Sequence, residues 1–189
     1  MSISRIENHF LEAEKILKEF ILSGEIKNIE TAGKLMVSSL KKGSKIISCG
    51  NGGSMSDAIH FAEELSGKYR ENRKAIPAMA ISDPGYLSCV SNDFGYAQVF
   101  SRFIEGIGNT NDILLAISTS GNSENILKAI DTAREKGMKV VGLTGKNGGK
   151  MGKLCDVEIR APYSQYADRA QEIHIKIIHS MIDYIETNF

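Results

Sequence analysis

The chain has 189 residues, 42% of them hydrophobic and 24% charged, which places it among globular domains large enough to bury a proper core. Lys plus Arg equals Asp plus Glu at 23 each, so net charge is zero and the basic excess of a general nucleic-acid binder is absent. No apolar stretch resembles a signal-peptide core or reaches transmembrane length, and Cys49, Cys89 and Cys155 form neither a CxxC pair nor a disulfide framework. A reducing cytoplasm is the expected compartment, with no membrane and no nucleic acid as partner.

Residues 3–41 read as two amphipathic helices. Ile6, Phe10, Leu11, Ala13, Ile16, Leu17 and Phe20 recur at helical spacing, and a second stretch runs from about Ile26 to Leu40. Ser23-Gly24 separates the two. Short apolar runs followed by polar, Gly-rich turns then appear at 45–49, 77–81, 113–117, 140–143 and 157–159. Helical patterns fall at about 54–67, 96–107, 122–136 and 168–188. Buried strands alternating with helices predict an α/β fold, a three-layer α/β/α sandwich on a central parallel sheet. The expected organisation is one domain over 1–189, with 1–41 as a helical N-terminal extension.

In open parallel sheets ligands sit where strands end and helices begin, and two such loops stand out. Cys49-Gly50-Asn51-Gly52-Gly53-Ser54 follows the first strand. Its glycines allow close backbone approach, and a helix N-terminus follows. It is neither a Walker A loop nor GxGxxG, and by itself it reads equally as a tight strand-to-helix turn. Ser118-Thr119-Ser120-Gly121-Asn122-Ser123 follows the third strand. A single serine there would only cap a helix; four hydroxyls beside a glycine and a helix start suit a phosphate.

GNGGS, HFAEELSG on the next helix, STSGNS, and RAQEIHIKIIH on the last helix together resemble the phosphoheptose isomerases of the SIS-domain group. The resemblance runs from about residue 45 to the C-terminus. It implies that Ser118, Thr119, Ser120 and Ser123 hold a sugar phosphate, and that Asn51, Gly52, Gly53, Asn92 and Asp93 contact the sugar. It also implies a homotetramer, and the first step toward nucleotide-activated heptose for a bacterial surface polysaccharide: isomerisation of sedoheptulose 7-phosphate to D-glycero-D-manno-heptose 7-phosphate. Met55-Ser56 and Asp83-Pro84-Gly85 depart from the family pattern, away from these positions.

Ketose–aldose conversion moves a proton between neighbouring carbons through an enediol, which needs a base, an acid and a means of holding the oxyanion. His60 and Glu64 are spaced i, i+4 on one helical face, able to share a metal, flank a substrate, or simply make a surface or core contact. The resemblance implies a zinc site from His60, Glu64, Gln171 and His179, sugar contacts from Glu64 and Gln171, and Glu64 and His179 as base and acid. Gln171 and His179 are eight residues apart, about 12 Å along a helix, so their convergence on one ion requires hard leaning or a second subunit. His174 and Cys49 read as structural, and Lys68, Arg70 and Arg73 as a solvated turn or a phosphate attractor. Two other readings fit the loops: a non-catalytic SIS module that binds a replication-initiator protein, and an isomerase of another sugar phosphate. Coexistence of His60, Glu64, Gln171 and His179 argues against the first.

Overall fold

The computed structural model describes residues 2–189, with side chains from residue 4 onward. The five apolar runs form β1 (Ile46–Gly50), β2 (Ala78–Ala80), β3 (Ile113–Ser118), β4 (Lys139–Thr144) and β5 (Val157–Arg160). All pairings are parallel, in the order β2-β1-β3-β4-β5. Ile46 faces Ala78 on one side and Ile113 on the other, and Ile113 in turn faces Lys139. β1 and β3 are buried along their whole length, as central parallel strands covered on both faces must be.

The strand period of two sorts β3 into two cores. Ile113, Leu115 and Ile117 pack with Met36, Phe61, Ile177 and Met181, beneath α2 (Ile26–Leu40), α3 (Gly53–Ser66) and α7 (Ala167–Asn188). Leu114 and Ala116 pack with Phe100, Ile104, Ile126 and Ile130 of α5 (Val99–Ile107) and α6 (Glu124–Glu135). This is the α/β/α sandwich expected. Leu115 is fully buried, and truncating such a residue to Ala costs about 2–5 kcal/mol.

Two differences from the sequence reading have local causes. The segment after β2 forms a helix, α4 (Pro84–Phe94), where the sequence pattern assigns no element. Asp83 caps it by accepting from the Tyr86 N–H at 2.6 Å, and Pro84 occupies the first turn. Among its residues only Val90 is buried, so the apolar periodicity that signals a helix is weak. The stretch 96–107 divides into a short 3₁₀ turn, Tyr96–Gln98, and α5. α1 (Ser2–Leu22) buries Ile16 and Phe20 but leaves Ile6, Phe10, Leu11, Leu17, Ile21 and Leu22 exposed.

Sequence order reverses around β1, which has β2 on one side and β3 on the other. The crevice beyond the carboxyl ends of β1 and β3 is therefore the topological switch point, where open α/β sheets bind ligands. The glycine loop and the hydroxyl loop are the two segments that leave these strands.

Candidate active site

At the end of β3, three hydroxyls converge. Ser118 Oγ lies 3.1 Å from Ser123 Oγ and 3.5 Å from Ser120 Oγ. The Gly121 N–H donates to Ser118 Oγ and the Asn122 N–H to Ser120 Oγ, each at 3.2 Å. Ser123 occupies the N-cap position of α6 but makes no side-chain capping bond. Its hydroxyl faces Ser118 instead, so a mere helix cap does not describe this loop. Gly121 has φ +64° and its backbone presses against Gly148, a place no side chain fits. Thr119 is half-buried, with its carbonyl against Gly145. Hydroxyls gathered at a helix N-terminus form a cup suited to an oxyanion such as phosphate.

The glycine loop is held from two directions. A Cβ on Gly53 would sit 2.9 Å from Gln171 Cδ, and closer still to its amide nitrogen, so the Gln171 amide lies flat against Gly53. Asn51 and Asn125 exchange amide hydrogen bonds, Nδ2 to Oδ1 in both directions at 2.9 Å. Tyr96 Oη donates to Asn51 Oδ1 at 2.9 Å. Gly52 has φ +55° and open space around it. Asn92 and Asp93 lie exposed at the end of α4, with Asn92 Nδ2 donating to Asp93 Oδ1 at 2.9 Å. Tyr96, three residues further on, links their segment to the glycine loop.

α3 and α7 run side by side in the same direction: Gly53 meets Gln171, and seven residues on, His60 meets His179. The stripe Gly53, Asp57, His60, Glu64 at i, i+4, i+7, i+11 is one helical face. His60 Nε2 and His179 Nε2 face each other at 2.9 Å, and Glu64 Oε1 is 3.8 Å from His60 Nε2. The Tyr69 ring stacks on His179, with centroids 5.8 Å apart. Burial, then the nearby His60, lowers the His179 pKa. On its other side, His60 Nδ1 donates to Glu63 Oε1 at 2.9 Å, the arrangement that fixes a metal-binding imidazole in the tautomer whose Nε2 lone pair is free. His60, Glu63 and Glu64 each offer a ligand atom within 4.8 Å of the others. Two imidazole nitrogens aimed at one point beside a carboxylate are a donor set that fits zinc.

The structure thus brings His60, Glu64 and His179 together. It does not bring Gln171 to them, since its amide rests on Gly53, two turns of α7 earlier. Three contributors escaped the sequence reading. Glu63 was overlooked beside Glu64, although the adjacent pair was visible. Asp57 was legible as the i−3 neighbour of His60; one of its carboxylate oxygens is buried with no hydrogen-bond partner among the described residues, and burial pushes its pKa up to about 6. Asn125 had no signal beyond its place just after the hydroxyl loop.

Other candidates are structural. Arg73 donates to Glu186 at 2.9 Å and to the Glu64 carbonyl at 2.8 Å, and Arg70 pairs with Asp183 at 3.1 Å. These two arginines tie the turn after α3 to α7. Cys49 lies in the core, where burial raises its thiol pKa. His174 is fully buried and its Nε2 donates to the Thr144 carbonyl at 2.8 Å, as its structural reading requires.

The SIS-domain profile matches residues 9–145. A phosphoheptose isomerase of Aeromonas salmonicida is 59% identical over 182 residues, which cover 96% of this chain and 95% of that protein. The structure of a phosphoheptose isomerase from Francisella tularensis superposes with a TM-score of 0.94 at 36% identity, covering 99% of each chain. That of a phosphoheptose isomerase from Neisseria gonorrhoeae gives 0.92 at 37%, covering 99% of this chain and 100% of that one. On these matches the chain belongs to the SIS-domain family as an isomerase of the phosphoheptose isomerase group.

Proposed function

We propose that this enzyme converts sedoheptulose 7-phosphate to D-glycero-D-manno-heptose 7-phosphate, supplying activated heptose for a bacterial surface polysaccharide. The observation that carries the reading is the meeting of His60 and His179 at 2.9 Å beside Glu64, from helices 119 residues apart in sequence. These side chains are only partly buried, at the rim of the α3–α7 packing, and fill no gap in the core.

The phosphate binds in the cup of Ser118, Thr119, Ser120 and Ser123, with the α6 N-terminus behind it. The sugar lies over Asn51, Gly52 and Gly53, flanked by Gln171, with Asn92 and Asp93 on the α4 side. From Gln171, α3 and α7 run side by side to His60 and His179. Glu64 removes the proton from the carbon beside the carbonyl and returns it to the former carbonyl carbon, while His179 carries the proton between the two oxygens through the enediol. Burial, then the nearby His60, lowers the His179 pKa, which favours the neutral imidazole. His60, Glu64 and His179 would hold zinc; Gln171, the fourth member of the expected set, stays against Gly53 and serves the sugar. Bound there, the ion would supply electrophilic stabilisation of the developing oxyanion. Glu63 holds His60 in the ligating tautomer.

The exposed apolar face of α1 supports a homotetramer in which the extension 1–41 packs against neighbouring subunits. No helix among the described residues is long and apolar enough to cross a membrane, in keeping with a cytoplasmic enzyme. Incubating the purified protein with sedoheptulose 7-phosphate and following the aldose signal by NMR tests the assignment. Appearance of the manno-configured product supports it; no turnover by folded protein, with and without added zinc, overturns it.

A further inference from the structure

The proton transfers proposed above give no role to Asn125. Asn125, in the first turn of α6, is 4% exposed, yet it carries a primary amide into the crevice between β1 and β3. There it forms the reciprocal pair with Asn51, two hydrogen bonds of 2.9 Å across 74 residues of sequence.

An asparagine side chain offers two N–H donors and an oxygen with two acceptor sites. On Asn51 both acceptor sites are taken, one by Asn125 Nδ2 and one by Tyr96 Oη, and one N–H is given to Asn125 Oδ1. At most one side-chain N–H of Asn51 is left for a sugar. Its main service is to be held. What it holds is the backbone of Gly52 and Gly53, the most permissive stretch of the site, with Gly52 at φ +55°.

We infer that Asn125 is a positioning residue: its amide clasp on Asn51, closed by Tyr96, fixes the glycine loop against the hydroxyl loop so that a sugar anchored by its phosphate meets the proton-transfer groups in register. This rests on the reading that the hydroxyl loop takes the phosphate and the glycine loop the sugar. The physical logic is that of a pre-formed site. A loop that must be ordered at each turnover adds its ordering entropy to the barrier, and a displacement of about 1 Å at a reacting carbon costs on the order of 10²-fold in rate. Asn125 touches the sugar nowhere in this scheme; its effect passes through Asn51. Tyr96 brings the segment that follows Asn92 and Asp93 into the same clasp, so three walls of the site share one hydrogen-bonded joint.

The test is a set of variants assayed with sedoheptulose 7-phosphate: Asn125→Ala, Asn51→Ala, the double variant, and Tyr96→Phe. Asn125→Ala is expected to lower kcat by about 10- to 100-fold while KM and the inhibition constant for inorganic phosphate move less than about threefold. Because Asn125 acts through Asn51, the double variant should be no slower than Asn51→Ala alone. Tyr96→Phe should lower kcat by a smaller factor, in the same pattern. A kcat for Asn125→Ala within twofold of wild type overturns the proposal, as does a double variant whose losses multiply. If Asn125→Ala does not fold, Asn125→Asp, which keeps the acceptor but loses the donor, carries the same comparison. Exchange of the Ser54 and Met55 amides, which donate to the Asn51 and Gly52 carbonyls, in the unliganded protein separates this idea from the function assigned above. Faster exchange in the variants supports the clasp even if wild type fails to turn over that sugar, and unchanged exchange refutes it.

Discussion

The contact between Gly53 and Gln171 makes a sharp prediction, because Gly53→Ala adds one methyl group at a place where the backbone accepts it and the neighbour does not. Gly53 is the first residue of α3 and has no positive φ, so alanine suits the backbone and gains up to about 0.5–1 kcal/mol from its lower unfolded-state entropy. The new Cβ would stand 2.9 Å from Gln171 Cδ, whereas carbon atoms pack at about 3.5–4.0 Å. Gln171 must therefore swing away by roughly 1 Å, which a long exposed-ended side chain does at small cost in stability. Catalysis has no such tolerance, and a displaced first contact on this scale lowers kcat/KM by about 10²-fold. The prediction is a dissociation of two readouts. Thermal unfolding should stay within about 4 °C of wild type, as expected for a change under 1 kcal/mol in a chain of this size. Isomerisation of sedoheptulose 7-phosphate, followed by NMR, should collapse. A Gly53→Ala enzyme with wild-type kcat/KM would show that Gln171 does not act from the position it holds against Gly53.

Glu64→Gln and His179→Ala should each lower kcat by roughly 10²-fold or more with little change in melting temperature, and near-wild-type kcat in either would remove that residue from the chemistry. Ser120→Ala should weaken use of the phosphorylated sugar, because remote phosphate binding helps bring the sugar carbons to the base; equal rates on sedoheptulose and its 7-phosphate would contradict the cup. His174, pushed by burial down to about 4, binds a proton more readily unfolded than folded, so its contribution to stability is present above pH ~6.5 and is lost as pH falls toward 4. His174→Gln, which keeps a donor for the Thr144 carbonyl, should flatten that acid loss in denaturant titrations at pH 7 and pH 4.5, and an unchanged pH slope would place the acid sensitivity elsewhere.

How much of this was legible in the sequence follows from what each element depends on. The strands were legible because a parallel strand covered on both faces must be apolar throughout, and runs such as 113–117 can be little else. Helix α4 was missed because its stability comes from its ends: an Asp83 cap and Pro84 in the first turn, with Val90 alone buried, leave almost no periodic stripe to read. The serine cup was legible because four hydroxyls crowded into six residues exceed what a cap requires, and the structure shows the surplus directly in Ser123, which stands at the N-cap and faces Ser118 instead.

The rest of the site depends on the register between two helices, which composition does not encode. His60 and Glu64 are a local pair, visible as i, i+4. That His60 meets His179 while Gln171 meets Gly53 is set by how α3 slides along α7, and this is decided by packing of Phe61, Leu65, Ile177 and Met181 beneath them. The parallel register also resolves the geometric tension between Gln171 and His179 into a division of space. With about 12 Å of helix between them, Gln171 stands at Gly53 and His179 at His60. One rigid helix thus sets the distance from the glycine loop to the His60–His179 pair, and in the proposed function a substrate anchored at its phosphate is presented to both. Asn125 belongs to the same logic. Its amide has meaning only once β1 and β3 are neighbours at the switch point, so no reading of its own surroundings in sequence could have marked it.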